Sequence, residues 1–246
     1  MKLALVTGGH RRLGAVISAR LAADGWTLAI HGALDAEPDA VLAKVFARHA
    51  TTWHGFVADL ADAAAVDALV PAVSSHFGKA PDLLVNNASR FVDDKAASAT
   101  ARELAAHHAV NTAAPIALAL ALHKAGNRGA IVNIIDQRVR NPVPDQFSYG
   151  LSKAALAAAT RTLAVSLAPL LRVNAVAPGL TLPTRDYDDA LMARIAAAMP
   201  LGRLPSPPDI ADAVAFLASA ESVTGQTLFV DGGASLKSFD RDFVFL

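Results

Sequence analysis

The strongest constraint in this sequence is a regular alternation. Short apolar runs closed by turn residues are separated by longer Ala- and Leu-rich stretches whose apolar positions recur with helical period. The runs fall near Leu3–Val6, Thr27–His31, Thr52–Val57, Leu83–Val85, Ala130–Ile135, Leu171–Val176 and Thr227–Val230. Helical stretches lie between them, near Gly14–Ala23, Asp39–His49, Ala63–Phe77, Ala101–Lys124, Tyr149–Ala168 and Asp209–Ala218. Ala130–Ile135 is apolar at nearly every position, which suits a central strand buried on both faces. The pattern predicts an α/β fold: a single-domain, Rossmann-type, doubly wound fold with a seven-stranded parallel sheet flanked by helices on both faces. No repeat or charge block divides the 246 residues, and the Pro-rich stretch Pro200–Pro208 reads as a loop inside one domain.

Composition narrows the function classes. With 53% hydrophobic and 18% charged residues the chain is the opposite of a disordered one. The 22 basic and 22 acidic side chains cancel, leaving no overall basic field to hold a nucleic-acid backbone. The sequence has no cysteine, so disulfides, thiolate metal ligands and a cysteine nucleophile are excluded. The longest apolar run, Ala113–Leu122, contains Pro115 and falls short of the roughly 20 residues that span a bilayer. Thr7, Gly8 and Gly9 come too early for a signal-peptide core. A soluble, cytoplasmic protein is expected.

Thr7-Gly8-Gly9-His10-Arg11-Arg12-Leu13-Gly14 follows the first strand and opens a helix. A dinucleotide-binding fold sets pyrophosphate there, against free backbone amides and the positive end of the helix dipole. Cations at a helix amino terminus oppose the dipole, so Arg11 and Arg12 make more sense facing a bound anion than water. After the second strand, an NAD site would place an acid for the ribose hydroxyls, whereas His31-Gly32-Ala33-Leu34 offers none before Asp35. This favours NADPH, and Gly32→Asp is expected to shift preference towards NADH.

Tyr149 and Lys153 stand at i and i+4 in a helical segment, on one face. A nearby cation stabilises a phenolate, which gives such a pair a use in acid–base chemistry. The strand that ends at Asp136 precedes them, with Asn111 further upstream and Asn86-Asn87-Ala88 closing the fourth strand.

Together these residues resemble the short-chain dehydrogenase/reductase family, from Leu3 to about Gly233. The family's glycine loop matches Thr7–Gly14, its adenine-side acid Asp59-Leu60, its Asn-Asn-Ala turn Asn86–Ala88 and its helix asparagine Asn111. Pro178-Gly179 matches its nicotinamide loop and Val230-Asp231-Gly232-Gly233 its final strand. The resemblance implies Tyr149 as general acid, Lys153 lowering its pKa while binding nicotinamide ribose, and Asn111 holding a water in the proton relay. It places NADPH (NADP+) on Gly8, His10, Arg11, Arg12, Leu13, His31, Asp59, Leu60, Asn87, Ala88, Ser89, Tyr149, Lys153, Pro178, Gly179 and Thr181. Pro183 stands where the family often has threonine, with Thr184 one residue late.

Three departures from the general family pattern belong together. Arg12 replaces the middle glycine, Ser89 the glycine after Asn-Asn-Ala, and Asp136 the usual catalytic serine. All three are similar to the pteridine reductase and dihydromonapterin reductase subgroup, and Phe91 matches an aromatic that stacks on the pterin there. The resemblance therefore implies a substrate site of Arg12, Ser89, Phe91, Asp136 and Tyr149. A carboxyl group at Asp136 suits an imine, whose reduction adds hydride to carbon and a proton to nitrogen.

Blander readings stand beside these: Asp136 as a cap for the turn before Gln137, Phe91 as a core or lid aromatic, Ser89 as a turn former. His107 and His108, adjacent on a helix, do not make a metal site, and none is proposed. Trp26 and Trp53 read as packing residues. The leading expectation is an NADPH-dependent reductase of a dihydropterin or related pteridine. The alternatives are a generic carbonyl or 3-oxoacyl reductase and a non-catalytic NADP(H)-binding sensor. A homotetramer is expected, with a substrate loop at about 180–208 and an apolar tail, 238–246, docked on its own or a neighbouring subunit.

Overall fold

The computed structural model describes residues 1–182 and 187–245. In chain order the elements are β1 (Leu3–Val6), α1 (Arg12–Ala23), β2 (Thr27–Gly32), α2 (Ala40–Arg48), β3 (Trp53–Val57), α3 (Ala63–Phe77), β4 (Leu83–Asn86) and α4 (Ala101–His108). There follow α5 (Ala114–Lys124), β5 (Gly129–Ile134), α6 (Phe147–Ser166), β6 (Leu171–Pro178), α7 (Asp189–Ala198), α8 (Pro207–Ser219) and β7 (Thr227–Val230). The strands form one seven-stranded parallel sheet in the order β3-β2-β1-β4-β5-β6-β7. Strand order reverses between β1 and β4, and at such a switch point the loops leaving the strands part to open a crevice.

Alternation along the strands feeds two cores, one on each face. Leu3, Leu5, Leu84, Ile131 and Val173 pack with α3, α5 and α6, while Ala4, Val6, Leu28, Ile30, Val85 and Val132 pack with α1, α2 and α8. A smaller cluster joins Leu191 and Ile195 of α7 to Met199, Ala234 and Phe243, so the tail docks on its own subunit. Trp53 lies against Phe46, with ring centroids 5.6 Å apart, and Trp26 packs at the rim of the α1/α2 core.

Three helical expectations are corrected. The continuous helix predicted over Ala101–Lys124 is two helices joined by a π turn at Ala109–Ala113. Pro115, near the start of α5, has no amide to give the carbonyl of Asn111, so the α-helical ladder is interrupted there. By length and apolarity this stretch equals a short membrane span, yet Ala114, Leu118, Ala119 and Leu122 are core residues packed with α3. The segment read as a loop at about 180–208 contains α7, capped by Asp188, which accepts from the Leu191 amide at 2.7 Å. Finally, α8 starts at Pro207, two residues early, because Ser206 and Asp209 form a reciprocal capping box.

Candidate active site

The loop after β1 is shaped by close approach. At Gly14 a Cβ would run into the carbonyl of Gly8 and the Asn87 side-chain amide, so only glycine lets α1 start this near the β4 end. Asn87 Nδ2 donates to the Thr7 and Gly8 carbonyls at 3.0 and 3.3 Å, and the Asn87 and Ala88 amides both donate to Thr7 Oγ1 at 3.0 Å. Helix α1 opens at Arg11 with no side-chain cap and no acid in its first turn. Its positive end is thus left for an anion, with Arg11 and Arg12 exposed beside it and Leu13 half-buried behind them. Arg12 has φ 53°, the left-handed region where glycine is at ease and a side chain costs on the order of 1 kcal/mol. That strain sits at the position where the family has glycine.

His31 is buried and its ring is occupied on both sides. Nδ1 accepts from the Gly8 amide at 3.2 Å and Nε2 donates to the Ala58 carbonyl at 2.8 Å. Burial lowers its pKa, with His10 adding to the effect against the Ala58 hydrogen bond, in keeping with the neutral ring these two bonds require. The His31 side chain, expected among the cofactor contacts, thus holds the glycine loop. His10, also buried, lies 3.3 Å from the His31 carbonyl through Nδ1 and 3.9 Å from Asp35 through Nε2. The Gly32→Asp expectation fails on space. A Cβ at Gly32 would overlap the Asp35 carbonyl and crowd His10, so the substitution disrupts the loop before it can choose between cofactors.

Below the crevice lies the proton centre. Asp136 follows β5, and its Oδ1 accepts from the Arg138 amide at 2.8 Å, which is the capping role read from the sequence. Its other oxygen accepts from the Tyr149 hydroxyl at 3.1 Å. Lys153, one turn further along α6, is buried and donates to the Ile134 carbonyl at 2.8 Å. Burial pushes the Tyr149 phenol well above its ordinary value, and Asp136 adds to the rise while Arg138 opposes it. Loss of solvation lowers Lys153 to about 8, against the pull of Asp136. The Lys153 ammonium is turned to the Ile134 carbonyl, and the group bonded to the Tyr149 hydroxyl is the Asp136 carboxylate. The phenol is held protonated, as an acid must be.

Asn111 is fully engaged through its side chain. Its carbonyl oxygen accepts from the Arg90 amide at 2.7 Å and Ser89 Oγ at 3.2 Å, and its amide donates to the Arg90 carbonyl and Ser152 Oγ, both at 2.9 Å. It clamps the loop carrying Ser89 and Phe91 to α6. A water held by Asn111 has only its backbone carbonyl to bind, the one Pro115 leaves without an α-helical partner. Phe91 is 49% exposed and lies edge-on to Tyr149, with centroids 4.9 Å apart. It is a rim aromatic beside the proton donor rather than a core residue.

The remaining candidates take quieter positions. Asp59 is exposed and caps its own turn through the Ala61 amide at 2.9 Å, and Leu60 is buried in the α3 core. Pro178 ends β6, Gly179 donates to the Val230 carbonyl at 3.0 Å, and Thr181 Oγ1 donates back to the Gly179 carbonyl at 2.9 Å. Pro183 and Thr184 lie outside the described residues. His107 is buried in contacts with the Glu103 carbonyl and the Val92 amide, apart from exposed His108. Sequence reasoning missed Arg138, which faces Asp136, Tyr149 and the tail.

Residues 9–235 match a family model described as enoyl-(acyl carrier protein) reductase. The chain belongs to the short-chain dehydrogenase/reductase family. Membership makes it an oxidoreductase and sets aside the non-catalytic sensor. Among solved members, the FolM alternative dihydrofolate reductase 1 from Brucella canis, complexed with NADP, is 39% identical. It superposes with a TM-score of 0.84 over 96% of this chain and 95% of its own. Pteridine reductase 1 of Leishmania tarentolae is 32% identical over 95% of this chain and 96% of its own. The 3-oxoacyl-[acyl-carrier-protein] reductase FabG of Staphylococcus aureus is 33% identical, covering 94% and 97%. As a short-chain dehydrogenase/reductase, the chain departs from the general pattern at Arg12, Ser89 and Asp136.

Proposed function

We propose that this chain is an NADPH-dependent reductase of a C=N bond in a dihydropterin or related pteridine. The observation that carries the reading is the hydrogen bond from the Tyr149 phenol to Asp136, where ketone reductases of the family have serine. The uncapped start of α1 and the cradle closed by Gly14 fit a pyrophosphate, and Arg11 and Arg12 fit the extra phosphate of NADPH. When bound, the reduced nicotinamide supplies hydride to the substrate carbon. Tyr149 gives its proton to the substrate nitrogen, and half-exposed Asp136, which orients the phenol as its hydrogen-bond acceptor, then takes a proton from solvent and returns it to the phenolate. Lys153 would hold the nicotinamide ribose through its ammonium. Phe91 offers a flat face to a pteridine, an aromatic contact worth about 0.5–1.5 kcal/mol beyond the area it buries. Ser89 and Arg12 meet the ring's polar edge. Similarity to FolM and to pteridine reductase 1 supports the substrate class.

A second reading, a carbonyl or 3-oxoacyl reductase, is favoured by the family model and by FabG. Loss of nicotinamide absorbance with a panel of dihydropteridines, ketones and 3-oxoacyl thioesters separates the two. Asp136→Ser is expected to lower dihydropterin turnover at least about tenfold while ketone turnover holds or rises. A wild type that reduces ketones and no pteridine establishes the second reading instead.

The proposed setting is the cytoplasm and the proposed assembly a homotetramer. Exposed apolar residues on α4, α5 and α6, namely Leu104, Leu120, Leu151 and Val165, support the assembly. Sedimentation at micromolar concentration is expected to give four chains, and a stable monomer would count against it.

A further inference from the structure

The carboxy-terminal tail reaches the proton centre through one arginine. Arg138, on the 3-10 turn that Asp136 caps, is 13% exposed. Its guanidinium donates to the Asp242 carboxylate and to Gln146 Oε1, and lies 5.7 Å from the Phe243 ring centroid. Asp242, 1% exposed, also accepts from the Tyr187 hydroxyl at 3.1 Å and the Val244 amide at 3.0 Å. Its own amide donates to Asp145, whose two oxygens take Arg241 at 2.8 and 2.9 Å. Gln146 caps the start of α6 at φ 55°, a conformation that residues with side chains rarely adopt. Three residues later the helix presents Tyr149. One buried cation therefore grips the Asp136 turn, the α6 start and the tail at once.

We infer that Arg138 and Asp242 form a positioning pair through which the tail holds Asp136 and Tyr149 in place and sets the charge around the phenol. The inference rests on Tyr149 as proton donor, not on the identity of the substrate. The charged groups facing Arg138 are Asp136 after β5, Tyr149 on α6, Tyr187 before α7 and Asp242 on the tail. Lys153 lies beyond Tyr149, and Asp145 and Arg241 satisfy each other. Burial works against the arginine's charge, but Asp136 and Asp242 hold its pKa above the ordinary value. Removing the Asp242 charge leaves Arg138 less compensated beside the phenol, which favours deprotonation of Tyr149 and of Lys153. Removing the Arg138 charge does the reverse. A merely structural pair would not shift titrations in opposite directions.

The test compares Asp242→Asn, Arg138→Met and Arg138→Lys with wild type on whichever substrate the wild type turns over. Asp242→Asn is expected to lower kcat about tenfold or more at unchanged KM for NADPH, the scale of a misplaced reacting group. Its alkaline limb of kcat moves to lower pH, whereas that of Arg138→Met moves to higher pH. Arg138→Lys keeps the charge without the fork, so its limb stays at the wild-type pH while part of kcat is lost. Should Arg138→Met fail to fold around an unpaired carboxylate, Arg138→Met/Asp242→Leu replaces it, with kcat still low and the limb near that of wild type. A readout without substrate is phenolate absorbance. The chain has 2 tyrosines, so in a Tyr187→Phe background the signal belongs to Tyr149, and Asp242→Asn should bring it in at lower pH. A folded Asp242→Asn protein with both the limb and the titration unmoved overturns the inference, as do equal shifts in the two neutralised variants. A wild type inactive on dihydropterins would overturn the substrate reading alone, since the titration does not depend on it.

Discussion

Tyr149→Phe is expected to reduce turnover by at least about a hundredfold, the usual scale of general acid catalysis, while NADPH affinity and thermal stability stay close to wild type. The ring that packs edge-on against Phe91 at 4.9 Å is retained, and only the hydroxyl is lost. Asp136 is half-exposed, so water can replace the phenol as donor to its Oδ2 and no buried acceptor is stranded. The structural cost is therefore small and the chemical cost large. Among the described residues, the two serines that flank Tyr149 on α6 are already engaged. Ser152 Oγ donates to the Tyr149 carbonyl and accepts from Asn111, and Ser148 is bound to Asp94. Single-turnover rates with the best substrate, beside a fluorescence titration with NADPH, check the split. Near-normal turnover in the phenylalanine variant would remove Tyr149 from its role.

How much of this was legible in the sequence depended on the range of the forces involved. Strands such as Ala130–Ile135 declare themselves because a doubly covered sheet leaves almost no position for a polar residue. The loop at Thr7–Gly14 and the Tyr149/Lys153 pair are legible because a turn and an i, i+4 spacing are local facts. The direction of the Lys153 ammonium is not local. It is set by the Ile134 carbonyl on a strand nineteen residues away, which spacing alone does not show. Gly32 shows the same limit, since the missing acid is visible in sequence but the Asp35 carbonyl that fills the space for any side chain is not. The tail's apolar end signalled docking, while the pairing of Asp242 with Arg138, 104 residues apart, left no pattern to read. For α7 the signal existed in Leu191 and Ile195 at i, i+4, and nearby prolines masked it.

Lys153→Met should abolish more than about 99% of turnover and at the same time remove a stability gain that the wild type shows on going from neutral to alkaline pH. The native ammonium is buried and its pKa is lowered from 10.5 to about 8, chiefly by lost solvation. An unfolded chain holds that proton up to its ordinary pKa, so between about pH 8 and 10.5 the unfolded state binds more protons than the native one. Stability from this group therefore rises with pH through that window, and below it the full penalty, about 3 kcal/mol, is present. Methionine keeps the length of the stem without the charge. It leaves the Ile134 carbonyl unpaired, which costs about 1–3 kcal/mol and offsets much of the relief at pH 7. Equilibrium urea unfolding at pH 7 and 9.5 is expected to show wild type gaining stability and Lys153→Met gaining less. In the same range wild-type activity should decline, because the Lys153 ammonium loses its proton there. Equal pH slopes for the two proteins would mean that the buried lysine is not held charged against its desolvation, and that the charge set around Tyr149 is supplied by Arg138 instead.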